Sequence, residues 1–426
     1  MSARFIFRKS ITAMLAAPAL VGAVSLAATG AAFADDHDRD GRDGGAVKLL
    51  TTIPYPSNVS ALRAFDISWV DADTQLYYLG DRSNASIDVI DVKNNKFVKL
   101  IKAGFKGVVF NSAGAANNDK SGPNGVVVSG RWLFASDAGS RVVAIDLKTD
   151  TEVSEVNTGG AEGLRADEMA YDSRDGLLLA VNNADSPPFA SLISSVNGHL
   201  TIVKKIVFDA AHGVDATNGA EQPVWDSATD SFYISIPQVG DNLEDGAVAR
   251  INPHSGVVDK LFPVKFCQPA GLTLGPNQDL LIGCSVVFNT AGQGWAGVAD
   301  TNSAAPTQVI LDARNGSIDR FVAGVGGSDE VWFNPGDGRY YTASRANPTG
   351  PVLGVIDAKS QSLVQIVPTV NSAGKANVFP AGTSHSVAVN PRNNHALVPL
   401  PANSVVPNCQ NGCIGVYGTP RDDHDH

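Results

Sequence analysis

Charge is scarce in this chain, and positive charge scarcest of all. Only 18% of its 426 residues are Asp, Glu, Lys or Arg, and 43 acidic residues outnumber 32 basic ones, for a net charge of −11. A surface of that sign repels phosphate backbones and anionic headgroups, so nucleic acid and anionic membranes are poor general partners. Long apolar runs are confined to the first 34 residues. Nothing later approaches the ~18 unbroken apolar residues of a membrane helix. The 3.6-residue period of an amphipathic helix is also missing from 35 onward, which leaves β-structure as the building material. No G-x-S-x-G, Walker A, H-E-x-x-H or dinucleotide-binding fingerprint occurs, so serine-hydrolase, nucleotide and zincin readings lapse. What is present is 43% hydrophobic residue content, too much for a disordered chain and enough for a large core.

Residues 1–34 read as a secretory signal. Arg4, Arg8 and Lys9 precede an Ala-rich apolar stretch from Ile11 to Ala32, and Ala32-Phe33-Ala34 is a small-x-small cleavage site before Asp35. No Arg-Arg pair is present for twin-arginine export. The expected location is periplasmic or secreted, with no membrane span once the signal is removed. An acidic segment at 35–46 and a charged, His-bearing tail at 419–426 flank the part expected to fold, 47–418. In an oxidising compartment the four cysteines favour disulfides. Cys267 and Cys284 flank Gly275-Pro276-Asn277, a turn that brings them opposite each other, and Cys409 and Cys413 bracket a tight Gln-Asn-Gly loop. A zinc site built from all four would need other spacings.

Self-similarity is the main signal. Leu133-Phe134-Ala135, then Val142-Val143-Ala144-Ile145-Asp146, then Glu152-Val153-Ser154-Glu155-Val156 form one unit. Tyr77-Tyr78-Leu79 with Val89-Ile90-Asp91, Phe232-Tyr233-Ile234 with Ala249-Arg250-Ile251-Asn252, and Tyr340-Tyr341-Thr342 with Val355-Ile356-Asp357 repeat it. Short β-branched and aromatic runs cut by Asp/Asn/Gly turns are strands. Four strands, A to D, recur about every 50 residues, with inner strands starting near Asp66, Asn124, Asp167, Glu221, Ala270, Asp329 and His385. Seven four-stranded units predict an all-β, seven-bladed β-propeller. The last unit ends at Ile414-Gly415-Val416-Tyr417-Gly418 with no fourth strand. Val47–Ile53 looks like the fourth strand of the others, so it is expected to close the last blade and remove the open edges.

The pattern Val-x-x-Ile-Asp-x-x-Thr-x-x-x-Val, clearest at 142–153, resembles the repeat of the YVTN/YncE-like propellers, over nearly the whole of 47–418. That superfamily includes periplasmic YncE-like proteins, propeller lactonases, gluconolactonase-like enzymes and streptogramin lyases. The resemblance implies a small ligand at the mouth of the central channel and, by analogy, lactone-type ring opening or lyase chemistry. The alternative it implies is a non-catalytic periplasmic binding or scaffold protein. None of the subfamilies' fixed catalytic signatures can be placed residue by residue.

Loop lengths point to one face. The A–B turns, such as Asp172–Gly176 and Asn334–Gly338, and the C–D turns are tight. The B–C and D–A loops, such as 101–123, 237–246, 286–306 and 369–384, are long and share the opposite face, where binding usually happens. Aligned on the A–B turns, the starts of the inner strands form a column at that mouth: Asp66, Asn124, Asp167, Glu221, Ala270, Asp329 and His385, with Gln268 just before Ala270. Strand alternation means only one member of Asp167/Glu168 and of Asp329/Glu330 needs to face a ligand. Clustered carboxylates repel unless a cation compensates. We therefore expect a divalent metal, calcium or zinc, on Asp66, Asp167, Glu221 and Asp329. His385 or Glu221 would act as general base on water. Asn124, Gln268, Arg63 and Arg165 are the expected ligand-binding residues, the arginines orienting an anionic substrate. A monomer is expected.

Overall fold

The computed structural model describes residues 45–294 and 304–420. The expected signal at 1–34, most of the acidic segment at 35–46 and positions 421–426 of the tail lie outside the described residues. Seven antiparallel four-stranded sheets make up the fold. They span 68–101, 126–157, 169–207, 223–265, 267–323 and 331–368, and the seventh joins 388–418 to the strand Lys48–Pro54. We number these blades one to seven. Each inner strand packs on the next, and the last, Ala388–Asn390, packs on the first, Ser68–Asp71, so the ring is closed. Among the described residues helix is limited to the short 3-10 turns at Asn118–Lys120, Ala210–His212 and Pro276–Gln278, and none is long and apolar enough to cross a membrane.

The repeat explains the blades. Strands B and C, such as Leu76–Asp81 and Arg141–Asp146, are buried along nearly their whole length, because they are covered by a neighbouring blade on each face. Their side chains are accordingly apolar on both faces, and the outer D strands alternate. The contacts between blades three and four pack Leu179, Val181, Phe232, Ile234 and Ala249 into one cluster. At the turns, the Asp or Asn ending a strand caps the reversal: Asp172, Asp226, Asn334 and Asn390 each accept a hydrogen bond from the backbone N–H two residues on. The chain then needs a positive φ to re-enter the sheet. Gly176 and Gly338 supply it without a side chain, and Asp230 and Asn394 adopt it as well.

The closing strand forms as expected. Lys48 pairs with Gly418 and Pro54 with Cys413, with a bulge between Leu49 and Thr51. Every other blade carries the same irregularity between its C and D strands, for example at Val89/Ile90, Ala144/Ile145 and Val355/Ile356. The N-terminal strand is thus a D strand in its local geometry as well as its position, and the bulge strengthens the twist of each outer edge. Hydrogen bonds tie it to both neighbouring blades: the Gln365 amide brackets the Val47 backbone at 3.0 and 2.7 Å, and the Tyr55 hydroxyl donates to Asp88. Both expected cysteine pairs are joined, with Cα atoms 5.2 Å apart for Cys267–Cys284 and 4.9 Å for Cys409–Cys413.

Candidate functional site

A backbone rule sets the mouth of the channel. The N–H groups of Asp66, Asn124, Asp167, Glu221 and Asp329 donate to strand-B carbonyls, those of Gly80, Ser136, Val181, Ser235 and Ala343, at 2.7–3.1 Å. Each is the residue two before its inner strand, so five blades deliver a polar side chain at one axial level. His385 comes from the less regular approach to blade seven. Asp66, Asp167, Glu221, Ala270, Asp329 and His385 all line one cavity of about 230 Å³. Arg63 and Arg165 from the D–A loops line it too, with Arg82, Pro237, Ser285 and Arg345 from the ends of B strands. Both classes of long loop therefore meet at this face.

Two expected ligand-binding residues do not reach the cavity. Asn124 is fully buried; its Oδ1 accepts from Arg82 Nε at 3.0 Å and Nη2 at 2.7 Å, and its Nδ2 donates to the Ala166 carbonyl. Gln268 donates from Nε2 to the Leu243 carbonyl at 3.0 Å. Both amides brace the wall, because a backbone or guanidinium partner lies closer than the channel axis. The acidic doublets also divide. Asp167 and Glu168 both line the mouth, whereas Asp329 lines it and Glu330 turns to Trp332 Nε1, the Ser386 hydroxyl and the Val387 N–H.

Arg82 and Arg345 were not among the expected site residues, and they decide the electrostatics. Arg82, 3% exposed, is ion-paired with Asp66. Arg165 contacts Asp167 at 2.7 Å and Asp66 at 3.3 Å, and Arg345 contacts Asp329 at 3.1 Å. A signal for Arg82 and Arg345 existed in the sequence. Each directly follows the last residue of a B strand, Asp81 or Ser344, and aligning the units on that position puts them in one column.

The cations redraw the carboxylates. Burial pushes Asp66 up, but Arg82, His385 and Arg165 outweigh it and hold its carboxyl well below the usual range. Asp167 goes the other way. Burial and the Asp66 charge raise it to about 7 despite Arg165 and Arg82. Burial and Asp167 carry Glu221 up to about 8. Glu221 therefore holds its proton at neutral pH, which suits a general acid better than the general base expected. His385 is held on both ring nitrogens. Nδ1 lies 2.7 Å from the Thr383 carbonyl and 3.0 Å from the Thr383 hydroxyl, and Nε2 lies 3.3 Å from Asp66 Oδ1. Its ring stacks on Phe65 at 5.0 Å. A water-activating role would have to break the Asp66 contact.

The expected metal centre does not fit this arrangement. Among the described residues no three of His, Cys, Asp and Glu are placed to hold a metal ion. Asp66, Asp167 and Asp329 each face a guanidinium, which supplies the compensating charge in place of calcium or zinc.

No family model and no curated protein matches the chain. Solved structures do. A hydrazine synthase chain from Kuenenia stuttgartiensis superposes with a TM-score of 0.60 at 12% identity, covering 84% of this chain and 98% of that one. The Pan2 WD40 domain of Neurospora crassa gives 0.56 at 13% identity, over 91% and 98%. At such identities the likeness shows the β-propeller fold alone, and the resemblance to the YVTN/YncE-like repeat adds no established family to it.

Proposed function

We propose that the protein is an exported propeller whose channel mouth binds a small polar molecule bearing an anionic group. The observation that carries this reading is the division of labour among the arginines. Arg82 and Arg165 are committed to Asp66 and Asp167. Arg345 has a single ion pair and a side chain 40% exposed, and Arg63 lies over the Phe379 ring at 3.9 Å with no ion pair among the described residues. Arg345 and Arg63 are the cations placed to meet an incoming anion. Glu221 and Asp167, both raised by burial, add hydrogen-bond donors for ligand oxygens when they carry their protons. A small hydroxycarboxylate has both features. The leader-like residues 1–34 and the two disulfides support export.

One observation favours a second reading, the hydrolase or lyase chemistry that the family resemblance implies. Two carboxyls in one desolvated cavity, titrating near 7 and 8, can give and take protons in a ring opening or elimination. Calorimetric titration with a panel of hydroxycarboxylates, and a lactone-hydrolysis screen, separate the two. We expect saturable binding that weakens at least tenfold in Arg345→Ala and Arg63→Ala, with chelator leaving both affinity and melting temperature unchanged. Binding indifferent to both arginines would overturn the proposal. Turnover that survives chelator and falls about a hundredfold or more in Glu221→Gln would establish the enzyme reading.

A further inference from the structure

The channel has a second cavity, and its chemistry is the reverse of the mouth's. It measures about 180 Å³ and is lined by Trp69, Tyr171, Trp225 and Trp332, with Met169 and Leu272 among the apolar remainder. These residues sit further along the inner strands, toward the tight A–B turns: Tyr171 and Trp225 immediately precede the turn-opening Asp172 and Asp226. Trp69 and Trp332 meet edge to face, 5.1 Å between centroids at 79°, so their indoles form two adjoining walls. Among the described residues no Arg, Lys or His lines this floor. Two carboxyls do, Glu168 and Glu330.

The carboxyls differ. Glu330 is satisfied by Trp332, Ser386 and Val387. Glu168 is 7% exposed, lines both cavities, and its Oε2 is buried with no hydrogen-bond partner among the described residues. An unmatched buried acceptor costs about 1–3 kcal/mol and calls for an explanation. Burial raises Glu168 well above the usual range, and the neighbouring carboxyls Asp167, Glu221, Asp329 and Glu330 disfavour its ionisation further. What the site lacks is a cation. Electron-rich indole faces attract one within about 6 Å, and the gain is largest where water is excluded. The nearest example is already present at the rim: Arg174, in the turn of blade three, lies 5.8 Å from the Trp225 centroid, and its charge is taken up by Asp230.

We propose that the floor of the channel is a binding site for a small organic cation, an alkylammonium group boxed by Trp69, Tyr171, Trp225 and Trp332 with Glu168 as its counter-ion. An alkylated ammonium suits this lining better than a bare metal ion, because the walls offer rings and alkyl groups where a hard cation needs several oxygens. This site is independent of the anion reading of the mouth. Glu168 is the one carboxyl that looks into both.

The test uses intrinsic tryptophan fluorescence, since three tryptophans line the floor. The protein is titrated with tetramethylammonium chloride, with tert-butanol as a neutral probe of similar shape and potassium chloride as the ionic control. We expect a saturable change with tetramethylammonium only, weakened about tenfold or more in Glu168→Gln and in Trp69→Leu. Trp69 does not line the mouth, so Trp69→Leu should leave hydroxycarboxylate binding there intact. No saturable change, equal binding of tert-butanol, or full retention in both variants would overturn the proposal. The comparison of probes on the unmodified protein keeps the test decisive even if a variant fails to fold.

Discussion

The two ends of one channel solve opposite problems. At the mouth, carboxylates from several blades converge, and Arg82, Arg165 and Arg345 pair with Asp66, Asp167 and Asp329. At the floor, a few ångströms of strand further on, aromatic rings converge beside a carboxyl whose Oε2 has no hydrogen-bond partner among the described residues. Both ends are lined from one ring of inner strands. The difference lies in what each end is attached to. The mouth continues into long D–A and B–C loops that have room to carry arginines inward. The floor continues into tight turns whose few residues are used up by capping, so the strands themselves must supply the lining. The comparison shows how a repeat that is uniform in its core can present two unrelated chemistries at its two rims.

Opening the ring would remove both ends at once, and is the largest effect we expect. Deleting residues 47–54 strips blade seven of its outer strand, of the Gln365 tie to Val47, and of the cover on the edge Cys413–Gly418. The deleted protein should aggregate or lose its cooperative melt, as size-exclusion chromatography and calorimetry would show. A soluble variant melting with the parent would mean that the strand contributes nothing to closure.

Breaking the mouth alone is the next step down. Arg165→Ala leaves Asp66 and Asp167 facing each other with half their positive charge gone. The loss should be about 3 kcal/mol, the usual cost of stranding a buried charge. Tetramethylammonium binding at the floor should persist in the surviving folded protein. Denaturant melts and the fluorescence titration check the two halves of that statement separately.

A gentler probe reads both ends through pH. Glu221 at the mouth and Glu330 at the floor are each raised to about 8 by burial, above an unfolded value of ~4.3. The folded state then binds more protons than the unfolded one across that window. Stability is therefore full below about 4.3 and declines as pH rises toward 8. Melting temperature should fall by a few degrees between pH 5 and 8, and Glu221→Gln or Glu330→Gln should each flatten part of the slope. Asp66, held low by its arginines, contributes with the opposite sign and only in acid: its stabilisation is lost as pH falls below ~3.9. A flat profile between 5 and 8 in the parent would show that these carboxyls are better solvated than their burial implies.

How far the sequence reaches can be judged residue by residue. The seven-bladed fold, the closing role of the strand before Pro54 and both cysteine pairs were legible, because each rests on local, repeated rules. These are alternation within a strand, an Asp or Asn at each reversal, and a missing fourth strand at one end matched by a spare one at the other. The column of Asp66, Asp167, Glu221 and Asp329 was legible for the same reason: an equivalent backbone hydrogen bond to the B strand recurs in these units, though not at His385. What those side chains do was decided by the tertiary structure. Asp66 meets Arg82 from its own blade's B strand and Arg165 from a loop 99 positions away, and no spacing rule encodes that meeting. Asn124 and Gln268 occupy the right places in the repeat yet turn to nearer partners in the wall. The aromatic floor is likewise assembled from blades one, three, four and six, and only ring closure makes Trp69 and Trp332 neighbours. Sequence periodicity sets which residues arrive at the axis. Competition among their buried charges and hydrogen-bonding groups, settled only when the whole ring is in place, sets which of them face a ligand.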